Sequence, residues 1–266
     1  MGSSTISLGL GLGGGKAATS SGKLSGGSAF SNGFAISLDG TDDCMNVAST
    51  SDFAFGSSGF SISFWFNGSD SNTSGFGVNI FDMRSSNTGS QPSLWLETKG
   101  ANSLVKYYAS GAYRVSATAT LNIGSWNHLV ITNDGSTSKI YLNGNATPIG
   151  TGSDPTSYVS APLKVGGFFG NNYYFYGLID EFAIFSSELS TSNIEAIYNG
   201  GNGPNDLTSL NPLGWWRMGD NDGGTGTTIT DQGVTYDPSA NGGLGGYVAS
   251  GNNGTLDGPT FSTNVP

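Results

Sequence analysis

The chain has 266 residues, 36% hydrophobic and 11% charged, enough for one sizeable folded unit with extensions or for two small domains. Nine basic against nineteen acidic residues give a formal charge of −10, so the cationic footprint that displaces counterions from nucleic acid is missing. A stretch of about eighteen apolar residues, which a membrane-spanning helix requires, does not occur; the single cysteine, Cys44, excludes an internal disulfide.

In chain order, residues 1–28 are rich in Gly and Ser and carry too few large side chains to fold alone. They are expected to be a disordered leader or an arm that orders on a partner. Met1 to Gly15 alternates Leu with Gly and has no basic n-region or continuous apolar core, so no secretory signal is expected. From Phe30 onward, short apolar runs are punctuated by turns. Phe34, Ile36 and Leu38 alternate with polar residues and end at Asp39-Gly40. Phe60, Ile62, Phe64 and Phe66 share one face, the period of a half-buried strand. Trp126 to Thr132, Lys139 to Leu142, Leu163 to Val165 and Leu178 to Phe185 read as further strands. Asp134-Gly135 and Asn143-Gly144 supply the left-handed backbone of tight hairpins. Gly, Ser, Thr and Asn dominate the polar positions and disfavour long helices. One short helix is expected, capped by Ser190 and running to about Tyr198. Leu189 would staple onto Ile194, and Gly200 or Gly201 would end it. The expected fold is all-β, an antiparallel β-sandwich with one short helix and a Gly-rich N-terminal arm.

Four segments carry a family resemblance. Phe34-Ala-Ile-Ser-Leu-Asp-Gly-Thr-Asp-Asp43 resembles the opening strand and acidic turn of laminin-G-like, concanavalin-A-type jelly rolls. Phe60 to Trp65 resembles their next core strand. Trp126-Asn-His-Leu-Val130, with the Tyr141 to Gly144 hairpin, is similar to their aromatic-His strand. Gly177 to Phe185, followed by Leu189-Ser190 and Ile194 to Asn199, resembles their closing strand and helix. The resemblance spans about residues 30–200 and implies a jelly roll over 29–204. Residues 205–266 hold Trp215-Trp-Arg-Met-Gly-Asp220, Thr228 to Gln232 and Asn252 to Leu256. These resemble text that normally precedes such a domain. Completion of the same sandwich is the favoured reading, because an open edge invites aggregation, with pairing to a neighbouring subunit as the alternative. The whole also resembles structural proteins of tailed, especially marine, phages. That implies a non-enzymatic subunit displayed on a virion surface, decoration or fibre, packed as a homo-oligomer with other virion proteins. The alternative is a calcium-dependent carbohydrate-binding adhesion module at a bacterial cell surface, extracellular.

Among candidate sites, glycoside hydrolysis needs two facing carboxylates. Asp180 and Glu181 are adjacent, so on a strand they face opposite sides. Turnover abolished by mutating Glu97, Asp180 or Glu181 would revive a glycosidase reading. His128 lies within a strand and is read as structural. Calcium takes six to eight oxygen ligands; Asp39, Asp42 and Asp43 offer three carboxylates in five residues, and the resemblance would bring Asp180 near them. An acidic turn held by backbone amides is the competing reading, and Asp220-Asn-Asp222 is a weaker second candidate. The run Phe168, Asn171, Asn172, Tyr173, Tyr174 and Tyr176 gathers aromatics and amides in one loop, and Tyr107, Tyr108 and Tyr113 form another cluster. Such rings serve core or subunit packing, or stack on the sugar of a cell-surface glycan.

Overall fold

The computed structural model describes residues 30–70, 77–86, 89–97, 102–243 and 245–266; the Gly/Ser-rich arm expected over 1–28 lies outside them. The described strands run in chain order as β1 (Ala35–Asp39), β2 (Cys44–Thr50), β3 (Phe60–Gly68), β4 (Val78–Asp82), β5 (Ser93–Glu97) and β6 (Ser103–Ala109). Next come β7 (Ala112–Ala119), β8 (Asn127–Asn133), β9 (Thr137–Leu142), β10 (Gly150–Ser153), β11 (Ala161–Val165) and β12 (Tyr176–Phe185). Helix α1 (Thr191–Tyr198) precedes β13 (Gly214–Trp216), β14 (Thr228–Ile229), β15 (Val234–Asp237), a single helical turn α2 (Ala240–Gly243), β16 (Gly246–Ala249), β17 (Gly254–Asp257) and β18 (Thr260–Ser262).

Two antiparallel sheets face each other. The first is ordered β10-β9-β8-β3-β12-β1-β18, with β13 beside the second half of β12; the second is ordered β14-β17-β2-β11-β4-β5-β6-β7. A separate hairpin, β15–β16, stands apart from both. The core lies between the sheets, where Phe60, Ile62, Phe64 and Phe66 of β3 meet Phe81, Leu94, Leu96, Val105 and Tyr107 from the other side. Alternation along each strand delivers one apolar face inward. Phe64 stacks on Phe182 at 5.5 Å and meets Phe81 edge-on at 6.1 Å. This sandwich of jelly-roll type is the all-β architecture expected from the alternating runs.

The C-terminal segment belongs to both sheets. β17 pairs with β2 over Gly254–Val47 to Asp257–Cys44, β18 pairs with β1, and β13 pairs with β12. The hairpin chemistry is local: Gly135 has φ 93°, while Asn143 and Gly144 have φ 50° and 65°, values open to Gly and tolerated by Asn. Helix α1 starts on Ser190, whose hydroxyl accepts from the Asn193 amide at 3.2 Å. It stops on Asn199 in the left-handed region, one residue before the glycines expected to end it. The helix buries Ile194 and Ile197 against Val130, Ala183 and Phe185, a second, smaller core on the outside of the first sheet.

Candidate functional site

Period-two alternation decides what the outer face of the second sheet displays. On β5, Leu94 and Leu96 enter the core, so Trp95 points away from it; on β6, Val105, Tyr107 and Ala109 enter the core, so Lys106 and Tyr108 point outward. The loop between β11 and β12 folds over this face. Its Phe168 and Tyr173 rings sit 5.4 and 5.1 Å from the Trp95 ring. Tyr108 meets Tyr113 edge-on at 5.5 Å. The result is an open groove of about 450 Å3 lined by Arg84, Trp95, Tyr108, Tyr113, Phe168, Asn172 and Tyr173.

Buried polar groups fix its floor. Arg84 clamps Asp82 with two bonds of 2.9 and 3.0 Å, and also donates to Ser93 Oγ at 3.2 Å. Its guanidinium lies 4.5 Å from the Tyr108 ring centre and 5.0 Å from that of Phe168. Burial raises the Asp82 carboxyl, and the bonds from Arg84 oppose that rise. The Asn79 amide satisfies both its ends when Oδ1 accepts from Ser93 Oγ at 2.7 Å and from Trp95 Nε1 at 3.3 Å. The loop above is strained: Asn171 and Tyr173 both have φ 55°. Tyr173 is held there because its carbonyl accepts from the Asn79 amide at 2.7 Å, while the Asn172 carbonyl accepts from the Phe168 amide at 3.1 Å. Left-handed backbone at a non-glycine residue costs about 1–3 kcal/mol and clusters at functional sites.

Phe168, Asn172 and Tyr173 therefore line one groove, joined by Tyr108 and Tyr113 from the other aromatic cluster. Asn171 sits beside it, accepting from Lys164 Nζ at 2.6 Å. Tyr174 lies elsewhere, against Gly167. Tyr176 lines a separate cleft of about 510 Å3 with Asn67, Asp70 and Asn264. Tyr107 is a core residue whose hydroxyl meets that of Tyr158 at 2.7 Å. Trp95 and Arg84 were not legible as site residues, although Ser93-Leu-Trp-Leu-Glu97 puts Trp95 on the face opposite two leucines.

The acidic residues form two clusters, and Asp180 is not in the one with Asp39, Asp42 and Asp43. The register places Asp39 opposite Tyr176, four residues along β12 from Asp180, or about 13 Å at the strand rise. Asp180 joins Glu181 and Asp220 instead. Adjacent residues share this side because β12 bulges: its register against β3 slips between Asp180 and Ala183, and Glu181 has φ 49°. All six carboxyl oxygens of this cluster accept from the protein. Asp180 takes Asn32 Nδ2 at 2.9 Å and the Glu181 amide at 2.8 Å. Glu181 takes Arg217 Nε at 3.0 Å and Trp215 Nε1 at 2.5 Å. Asp220 takes the Gly33 amide at 2.7 Å and Arg217 Nη2 at 3.2 Å. Burial pushes Asp180 well up and Glu181 up to about 7, Arg217 opposing the latter. In the outer turn, by contrast, Asp39 Oδ1 accepts from the Thr41 amide at 2.7 Å and Asp43 Oδ2 from the Asp39 amide at 2.9 Å. Among the described residues, Asp42 and the remaining oxygens of Asp39 and Asp43 receive no donor.

Residues 39–195 match the Concanavalin A-like lectin/glucanases superfamily. The chain belongs to that superfamily. Solved structures agree on the concanavalin A-like fold. The native heptameric SAP-like pentraxin of Limulus polyphemus is 16% identical, with TM-score 0.51 over 63% of this chain and 82% of the pentraxin chain. A candidate carbohydrate-binding protein of Bacteroides ovatus is 15% identical, with TM-score 0.60 over 88% of this chain and 60% of that protein. No curated protein sequence matches this concanavalin A-like chain.

Proposed function

We propose that this chain is a non-enzymatic glycan-binding jelly roll and that its site is the aromatic groove over Trp95. The observation that carries this reading is the ring arrangement. Tyr108, Tyr113, Phe168 and Tyr173 surround Trp95 on a face that the core does not use, with Arg84 and Asn172 beside them as hydrogen-bonding groups. Sugar rings present C–H faces that stack on aromatics and hydroxyls that need fixed polar partners. The stiff floor and the strained loop hold the rings in place before a ligand arrives, which lowers the ordering cost of binding. The Bacteroides ovatus structure, described as a candidate carbohydrate-binding protein, lends support of the same kind.

Binding without catalysis is favoured by the placement of the carboxylates. Asp180 and Glu181 lie on the first sheet, buried and fully hydrogen-bonded, away from the groove. Glu97, on the groove's own strand, is buried and lies 3.8 Å from Lys106. We place the protein on a virion surface as an oligomeric decoration or fibre subunit; the phage-like Trp215 to Asp220 text supports this, and the heptameric pentraxin shows the fold in an oligomer. Immunogold labelling of purified particles tests that placement: label on intact particles supports it, and label confined to host cells removes it. A calcium ion, if taken, belongs at Asp39, Asp42 and Asp43, where free carboxylate oxygens remain, and not at the cluster neutralised by Arg217. Millimolar calcium then raises the melting temperature, and Asp42→Asn with Asp43→Asn abolishes the rise; an unchanged melting temperature rules the ion out.

The groove itself is tested by calorimetric titration with glycans selected from an array. Tyr113→Ala and Tyr173→Ala should each weaken binding about tenfold, equivalent to about 1.4 kcal/mol, with the fold retained. Unchanged affinity in both variants refutes the site.

A further inference from the structure

The aromatic groove stops at Arg84, but the row of side chains beneath it continues. Paired positions draw a line across the outer face of the second sheet. Thr255 faces Asn46, which faces Lys164, which faces Asp82. Asp82 faces Ser93, which faces Tyr108, which faces Tyr113. With neighbouring strands about 4.8 Å apart, this row is about 29 Å long. Its far half forms a second groove of about 490 Å3, lined among others by Asn46, Lys164, Phe169 and Thr255. Arg84 borders both grooves, and the adjacent rings of Phe168 and Phe169, 4.3 Å apart, each line one of them.

The charges on this face are unlike those of the chain, whose net charge is −10. Arg84, Lys106 and Lys164 all lie here. Arg84 is matched by Asp82, and Lys106 by Glu97. Lys164 bonds the neutral Asn171 amide, and among the described residues no carboxylate pairs with it. Asp257 and Asp43 lie beyond it, beside Cys44 at the end of β2. Asp82, the carboxylate that lines this groove, is held by Arg84, so Lys164, beside Asn46, Thr255 and Phe169, is left to select an anion carried on a polar chain.

Resting on the glycan-binding reading, we propose that the two grooves are one extended site for an acidic oligosaccharide. Its sugar rings stack on Tyr108 and Tyr113, and a uronate carboxylate or sulfate ester further along the chain meets Lys164. A pyranose repeat is comparable in length with the strand spacing, so successive sugars can follow successive strands.

The test is calorimetric titration of the full chain with oligogalacturonate, sulfated galactan and uncharged galactan hexasaccharides, at low and at high salt. The acidic oligosaccharide should bind about tenfold more tightly than the uncharged one at low salt, and the advantage should shrink as salt screens it. Lys164→Gln should remove the advantage while leaving uncharged binding intact, and Lys164→Arg should retain it. Preference for the uronate or for the sulfate ester identifies which anion the groove takes. Equal affinity for charged and uncharged chains, or no effect of Lys164→Gln, overturns the acidic-glycan inference and leaves the aromatic groove standing. Binding of none of the three, in wild type and Tyr113→Ala alike, overturns both.

Discussion

His128 lies wholly buried beside Trp65, 4.9 Å away, and Tyr198, 6.1 Å away, with Nε2 2.9 Å from Ser63 Oγ. Burial pushes its pKa down from 6.5 to about 3, so the fold holds it neutral. A depressed base contributes stability that is complete above its unfolded pKa and is lost as pH falls toward its folded one. Between pH 6.5 and about 3, wild type should therefore lose about 1.4 kcal/mol per pH unit more than His128→Gln. Urea unfolding of both proteins across that range checks it; parallel pH profiles would mean that His128 charges freely in the folded state. Glu181 acts in the opposite sense. Its pKa is raised from 4.5 to about 7, so its contribution is complete below pH 4.5 and is lost as pH rises through about 7. Arg217 is the cation that makes this acidic cluster tolerable, and it also stacks over Phe30 at 4.2 Å and donates to the Ser31 carbonyl. Arg217→Leu should cost about 3–5 kcal/mol, because it strands buried carboxylates, and the loss should be smaller at pH 4.5 than at pH 8.

At the scale of elements, the short strands differ in how plainly they announce themselves. Phe60 to Phe66 alternates so regularly that strand and facing are both legible, and Asn143-Gly144 specifies its own turn. Ser190 is a cap by chemistry, and Ser190→Ala should lower stability by about 1 kcal/mol, read from the melting temperature. The bulge in β12 had no such signal. Glutamate seldom adopts positive φ, so nothing in Asp180-Glu181 betrayed that both would share one side. The groove was legible only in parts: Phe168 to Tyr173 and Tyr108 to Tyr113 stood out as aromatic clusters, but their meeting beside Trp95 depends on the β11–β12 loop reaching across β4 to β5. β17 has only four residues, yet Leu256 from it is buried in the main core. Leu256→Ala should cost about 2–5 kcal/mol in chemical denaturation, whereas a tail resting loosely on the surface would cost almost nothing.

For the whole molecule, the two sheets divide the work. The first carries α1, the second core and the Arg217 cluster on its outer side, so that side is occupied by the protein's own structure. The second leaves its outer face to the grooves. The C-terminal strands join both sheets, which ties residues far apart in sequence into one frame beneath the site. On the proposed reading, binding falls on the second sheet, away from the buried carboxylates of Asp180, Glu181 and Asp220. The most direct test follows the tryptophan indole N–H signals by NMR while an oligosaccharide ligand is titrated. Trp95, bonded to Asn79 beneath the groove, should shift, while Trp215 and Trp216, packed against the first sheet, should not. Shifts confined to Trp215 or to the cleft around Tyr176 and Asn67, with Trp95 unmoved, would contradict the account.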